Sequence, residues 1–194
     1  MAIQVKISQD EASANEITQE LGSSYVIIDY EVAVPLFFQG VVAGKFYAVA
    51  TWAGRDQTEF LDFYYLRQGD QLLPVLLYYP EYYRSLSTRL YNFDGKTVTP
   101  EVTWVISYEE MTSQEGILFK VITGEEQFDS YEEAEAHILS QESANYKIVS
   151  NNPLISSVPL EALEHYRLIH SSDSSITLPD ESIVPAVKIF EYLD

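Results

Sequence analysis

The sequence predicts an α+β fold: mixed helices and short strands in one compact domain, with room for a small β-rich satellite. Three observations carry that expectation. Amphipathic helical stretches and alternating or β-branched stretches both occur, without the strand–helix–strand rhythm of a parallel sheet. Hydrophobic residues at 46% and charged residues at 21% of 194 positions are the balance of a folded chain. No low-complexity linker divides it, so residues 1–194 read as one domain.

Taken in order, "DEASANEITQELGSSYVIIDY" reads as helix then strand. Asp10 suits an N-cap, Ala14, Ile17 and Leu21 recur at helical spacing, and Gly22 is a natural stop. "YVIID" is then a short buried strand. A second helix and strand with the same spacing, "DSYEEAEAHILSQESANYKIVS", has the capping-box pair Ser130 and Glu133 and suggests that both strands share one sheet. Between them, Val32–Trp52 reads as irregular and then helical, ending near Gly54. "QTEFLDFYYLRQG" is ambiguous between strand and helix. "YPEYYRSLSTRLYNFDG" reads as one helix from Pro80 to about Tyr91, with a turn at Asp94 and Gly95. "KTVTPEVTWVISYEE" and "GILFKVITGEEQF" alternate and read as strands. A short helix is expected from Pro159, a polar loop over "SSDSSITLPDES", and a final strand in "VPAVKIFEYL".

Composition excludes several functions. Eleven Lys plus Arg stand against 30 Asp plus Glu, a formal net charge of -19, which disfavours binding to nucleic acid or to anionic lipid. Cysteine is absent, so thiol redox chemistry and thiolate metal sites are excluded. "MAIQVKISQD" lacks the apolar core of a secretory signal. Pro35, Gln39, Gly40, Gly44 and Lys45 interrupt the long apolar run Val32–Gly54 and argue against a membrane span. That run is expected either in the core or facing an apolar partner.

Generic catalytic signatures are missing as well. His165 and His170 are five apart, His137 lies on another helix, and no H-E-x-x-H, G-x-S-x-G, phosphate-cradling loop or calcium loop occurs. What stands out is Lys45, the one charge within Val32–Gly54, together with Asp29 at the end of "YVIID". Asp29 suits a helix cap; alternatively it approaches Lys45 and shapes a polar spot on an apolar floor, with Val49 one helical turn beyond Lys45. A third possibility keeps Asp29 and Lys45 apart in a structural domain. The tyrosines of "YYPEYYRSL" offer a different function, a stand-alone carbohydrate- or protein-binding module, provided that they are exposed.

The blocks "EASANEITQELGSSYVIIDYEVA", "GKFYAVATWAG", "EYYRSLSTRLYNFDG" and "VPLEALEHYRLIHSS" together resemble the C-terminal soluble domain of archaeal AglB-type oligosaccharyltransferases, relatives of the eukaryotic catalytic subunit. The resemblance follows family order over most of the chain and is weakest over residues 97–126. It implies an enzyme that transfers a lipid-linked oligosaccharide to Asn of an Asn-X-Ser/Thr sequon. The soluble domain faces the cell exterior, and a membrane half carries the catalytic carboxylates and a divalent metal, Mn or Mg. Asp29, Lys45 and Val49 then match the family's DK motif, an acceptor-recognition element, with a long insertion before Lys45 and Val49 in place of Met or Ile. The second element, W-W-D-Y-G, has no counterpart, since Trp52 and Trp104 are the only tryptophans and neither precedes Trp-Asp. The resemblance therefore implies a fragment that starts after that motif and is inactive alone, with no cofactor of its own. It implies as partners the sequon peptide, the lipid-linked donor and the membrane half. The expected finding upstream of Ile3 is a reading frame for transmembrane helices that ends in W-W-D-Y-G; a stop codon there contradicts the resemblance.

Overall fold

The computed structural model describes residues 2–38, 41–142, 145–179 and 181–193. In chain order these form α1 (Ala2–Ile7), α2 (Glu11–Glu20), β1 (Tyr25–Asp29), α3 (Tyr30–Ala33), β2 (Leu36–Phe38), β3 (Val41–Ala43) and α4 (Phe46–Trp52). There follow β4 (Leu61–Gln68), β5 (Gln71–Tyr78), α5 (Pro80–Arg84), α6 (Leu86–Phe93), β6 (Thr103–Thr112), β7 (Leu118–Phe128) and α7 (Tyr131–Ser140). The chain ends with β8 (Tyr146–Val149), β9 (Tyr166–Ser171), β10 (Ser175–Thr177), β11 (Ile183–Pro185) and β12 (Val187–Tyr192). The class is α+β, as the sequence predicts. Two compact units make up the chain: Met1–Gln57 with Arg84–Val98 and Leu160–Asp194, and Thr58–Tyr83 with Thr99–Pro159.

In the first unit β1, β12 and β9 form an antiparallel sheet in the order β1-β12-β9. Val26, Ile28, Phe190, Tyr192 and Tyr166 are buried, whereas Tyr25 and Ile27 are exposed. "YVIID" is thus a half-buried strand rather than a fully buried one, and its period-two alternation explains why. Helix α6 packs on β1 and meets α1 and α3. The Asp10 carboxylate accepts the Ser13 N–H at 2.7 Å and starts α2, whose buried positions are Ala14 and Thr18. Leu21, expected on the buried face, is exposed.

The apolar run divides. Val32, Ala33, Val34, Phe46, Val49 and Ala50 are buried core, whereas Trp52 is exposed. Helix α4 ends at Trp52, with Ala53 as its C-cap and Gly54 at a φ of +78°, close to the expected stop. The β2–β3 hairpin inside the run was not expected. Neither was β10, which lies in the expected polar loop and pairs with β11 just beyond it.

The second unit is β-rich and includes the stretch 97–126 only in part, from Thr99 onward. Its sheet runs β5-β4-β7-β6-β8, with β4 and β7 parallel and all other neighbours antiparallel. "QTEFLDFYYLRQG" resolves into a 3₁₀ turn and strand β4. Gly69 takes a φ of +59° in the two-residue link to β5. Pro74 is tolerated in β5 because β5 lies at the sheet edge, where a missing N–H costs little. Strand β6 has buried side chains on both faces in its first half. Val105 packs with Ala134 of α7 and Ile148, while Ile106 and Tyr108 join Tyr64, Leu77 and Tyr79.

Three sequence expectations fail for identifiable reasons, and one alternative loses its surface. The two helix–strand units do not share a sheet: β1 pairs with β12, and β8 pairs with β6. The helix from Pro80 breaks at Ser85, which has a ψ of 140° and begins α6. No helix follows Pro159, because Leu160 pairs with Val98 through two hydrogen bonds of 2.9 Å. The Glu11 carboxylate then takes the Glu164 and His165 N–H groups. Finally, Tyr78, Tyr79, Tyr82 and Tyr83 are between 0 and 4% exposed, so no tyrosine surface exists there for a sugar. Tyr83 donates to the Asn152 carbonyl at 2.6 Å, and the Tyr64 and Tyr79 hydroxyls lie 2.7 Å apart.

The "NFDGK" turn is a structural anchor. Asp94 sits in the left-handed region at a φ of 55°, and Lys188 from β12 donates to the Tyr91 carbonyl at 2.6 Å and to Asp94 at 2.7 Å. A cation at this helix end meets the last free carbonyls where the helix dipole is negative. Burial pushes the Asp94 carboxyl upward, but the hydrogen bonds and charges of Lys188 and Lys96 outweigh it and hold the group below 3.8. A depressed carboxylate adds stability above its unfolded-state pKa and loses it as pH falls through the folded value. Asp94→Asn is therefore expected to destabilise the chain by about 1 kcal/mol in urea at pH 7. The difference from wild type should shrink once pH drops below the unfolded value of 3.8.

Candidate functional site

The end of β1 turns directly into α3, and that turn makes the polar cluster singled out from the sequence. Asp29 has extended backbone as the N-cap of α3, and its carboxylate accepts the Val32 N–H at 3.2 Å. The capping role weighed for Asp29 is therefore real. The same oxygen also lies 3.8 Å from the Lys45 Nζ, so the cap and the approach to Lys45 coexist.

Lys45 is the N-cap residue of α4 and contributes no side-chain cap, so its ammonium is free to reach elsewhere. It reaches Glu31, at 2.5 Å, closer than Asp29. The Lys45 side chain is 57% exposed and both carboxylates are roughly a third exposed, so the lysine snorkels from an apolar segment to a wet, acidic spot. The hydrogen bond to Glu31, then the charge of Asp29, push its pKa above 10.5. Water and salt screen such an exposed cluster.

The backbone holds the lysine as firmly as the charges do. The Lys45 N–H donates to the Glu31 carbonyl at 2.6 Å, which brings the start of α4 against α3. Gly44 makes that approach possible. Its φ is +109°, and a Cβ there would stand 2.8 Å from the Glu31 carbonyl oxygen. Only glycine combines that dihedral with that proximity. Val49, one turn along α4, is 5% exposed and belongs to the core beneath the cluster. The structure thus brings Asp29 and Lys45 together and sets Val49 below them.

Sequence reasoning missed Glu31 and Gly44. Glu31 is two residues past Asp29, a spacing that puts side chains on one face only in a strand. The chain turns into α3 at Asp29, which brings both carboxylates to the same lysine. The signal for Gly44 was its place before the isolated lysine. Among the described residues, no three His, Asp or Glu side chains are grouped to hold a metal, and no helix is long and apolar enough to cross a membrane.

No family model matches the chain. It is 27% identical over 189 residues to the dolichyl-monophosphooligosaccharide–protein glycotransferase AglB of Haloferax volcanii, an alignment covering 87% of this chain and 17% of that protein. The chain thus spans about a sixth of the length of that relative. The oligosaccharyltransferase of Archaeoglobus fulgidus in its apo form superposes with a TM-score of 0.43 and 16% identity, covering 98% of this chain and 22% of the other. The same protein with Zn and sulfate gives a TM-score of 0.43 and 15% identity, covering 98% and 24%. The chain resembles AglB-type proteins, in line with the sequence blocks quoted above.

Two outcomes follow from the cluster. Glu31→Gln should lower the Lys45 pKa toward 10.5 by more than Asp29→Asn does, read from the lysine side-chain NMR signal against pH. Gly44→Ala should destabilise the chain by about 1–3 kcal/mol in urea, because the strained dihedral and the clash with Glu31 act together.

Proposed function

We propose that this chain is the C-terminal soluble domain of an archaeal AglB-type oligosaccharyltransferase and helps to recognise the Asn-X-Ser/Thr acceptor. The domain works outside the cell as part of a longer membrane enzyme that moves a lipid-linked oligosaccharide to the acceptor Asn. The membrane half supplies the catalytic carboxylates and a divalent metal, and the domain alone does not catalyse transfer. The 27% identity to AglB over most of the chain supports the family part of this reading.

One observation carries the acceptor part: the Lys45 ammonium and the Asp29 carboxylate stand 3.8 Å apart at a solvent-facing spot. That gap is too long for a direct hydrogen bond. It is the right width for a hydroxyl oxygen about 2.8 Å from each, accepting from the ammonium and donating to the carboxylate. Ser and Thr side chains offer both functions in one atom. Lys45 keeps N–H groups beyond the one directed at Glu31, so the acceptor need not displace Glu31. Val49 supports the first turn of α4 under this pair.

In the full-length protein, Lys45→Ala is expected to reduce kcat/KM for an Asn-X-Thr peptide by roughly tenfold or more, from the loss of one charge-assisted contact. Steady-state transfer assays check this. Because Lys45 is exposed, the variant should keep wild-type folding, and unchanged acceptor kinetics would remove the assignment.

A further inference from the structure

Lys45 stands beside two carboxylates and takes Glu31, at 2.5 Å, rather than Asp29, at 3.8 Å. That preference has a geometric cause. The Lys45 N–H already donates to the Glu31 carbonyl at 2.6 Å, so the backbone and the side chain of Lys45 both end on one residue. Gly44, without a Cβ, lets the two backbones meet there. Asp29 is the poorer partner, because the oxygen that faces the lysine also caps α3 through the Val32 N–H at 3.2 Å. The hydrogen bond to Glu31 is accordingly the largest cause of the raised Lys45 pKa, ahead of the Asp29 charge.

Without that hold the cluster would close. A lysine stem is long and flexible, and an ammonium near a carboxylate gains by closing to a direct contact of about 2.8 Å. A closed Lys45–Asp29 pair has no room for a hydroxyl oxygen between its members. A ligand would then have to break a charge-assisted hydrogen bond before making its own.

We propose that Glu31 is a positioning residue: its charge holds the Lys45 ammonium away from Asp29 and keeps the hydroxyl slot open. Glu31 does not touch the acceptor and acts through Lys45. The proposal rests on the acceptor reading of the Asp29–Lys45 pair and adds to that site the residue that fixes its width.

The test uses Glu31→Gln, which keeps the size of the side chain and removes its charge. The side chain is 37% exposed in the first turn of α3, and the backbone carbonyl that receives Lys45 is unchanged, so the variant keeps the fold. In a crystal structure of the variant chain, the Lys45 Nζ should move to about 2.8 Å from Asp29. In the full-length protein, KM for an Asn-X-Thr peptide should rise about two- to fivefold at unchanged kcat, the fold-change that an exposed ion pair is worth. In a Lys45→Ala background the same substitution should leave KM unchanged, because the group it acts through is gone. An equal rise in both backgrounds would show that Glu31 acts without Lys45 and would overturn the proposal. An ammonium that stays 3.8 Å from Asp29 in the variant, or an unchanged KM, would overturn it as well. If Lys45→Ala itself leaves kcat/KM unchanged, the acceptor reading falls and takes the role of Glu31 with it. A loss with Lys45→Ala and none with Glu31→Gln removes the role of Glu31 alone.

Discussion

The close approach of Gly44 to α3 is the constraint on which the candidate site depends. A strand that ends in a carboxylate and turns at once into a helix gives an ordinary cap. What makes Asp29 more than a cap is that another part of the chain arrives beside it, and it arrives through a hydrogen bond from the Lys45 N–H to the Glu31 carbonyl at 2.6 Å. That bond needs a residue without a Cβ immediately before it. The backbone therefore fixes the root of Lys45, and the two carboxylates need only direct its flexible end.

This division of labour explains why a lysine occurs in so apolar a segment. Val32, Ala33, Val34, Phe46, Val49 and Ala50 anchor α3 and α4 in the core, and the ammonium escapes to water at the edge. The apolar neighbours hold the two helices still, and the charge is exposed where a ligand can meet it. Glu31 takes the nearer position and Asp29 the farther one, so the pair is asymmetric. An asymmetric pair leaves one carboxylate able to accept from an incoming hydroxyl without first breaking the lysine's main contact.

Much of this was legible in the sequence where a local signal fixes a local structure. Asp10 and Ser130 are caps in the structure because their side chains reach an N–H three residues on, a distance that sequence alone sets. The alternating strands β6 and β7 follow from period-two patterning. Failures came where a distant partner decided the outcome. "LEALEH" has helical spacing, yet Val98 and Glu11 claim its backbone N–H groups. "SSITL" has too few apolar residues to declare itself a strand, and β11 makes it one. "YYPEYYRSL" carried no indication of which tyrosines face inward; the Tyr64 hydroxyl, partner of Tyr79, and the Asn152 carbonyl, partner of Tyr83, settle that. Asp29 and Lys45 were visible as a pair because both are charges in apolar company. Glu31 was not, since its relation to Lys45 depends on the turn into α3.

The central claim is that a hydroxyl fits between Lys45 and Asp29. The most direct measurement is a crystal structure of the full-length protein with an Asn-X-Thr peptide bound. The account predicts the threonine hydroxyl within hydrogen-bond distance of both the Lys45 ammonium and the Asp29 carboxylate, with Lys45 still on Glu31. A peptide bound with its hydroxyl beyond reach of Lys45 would contradict it.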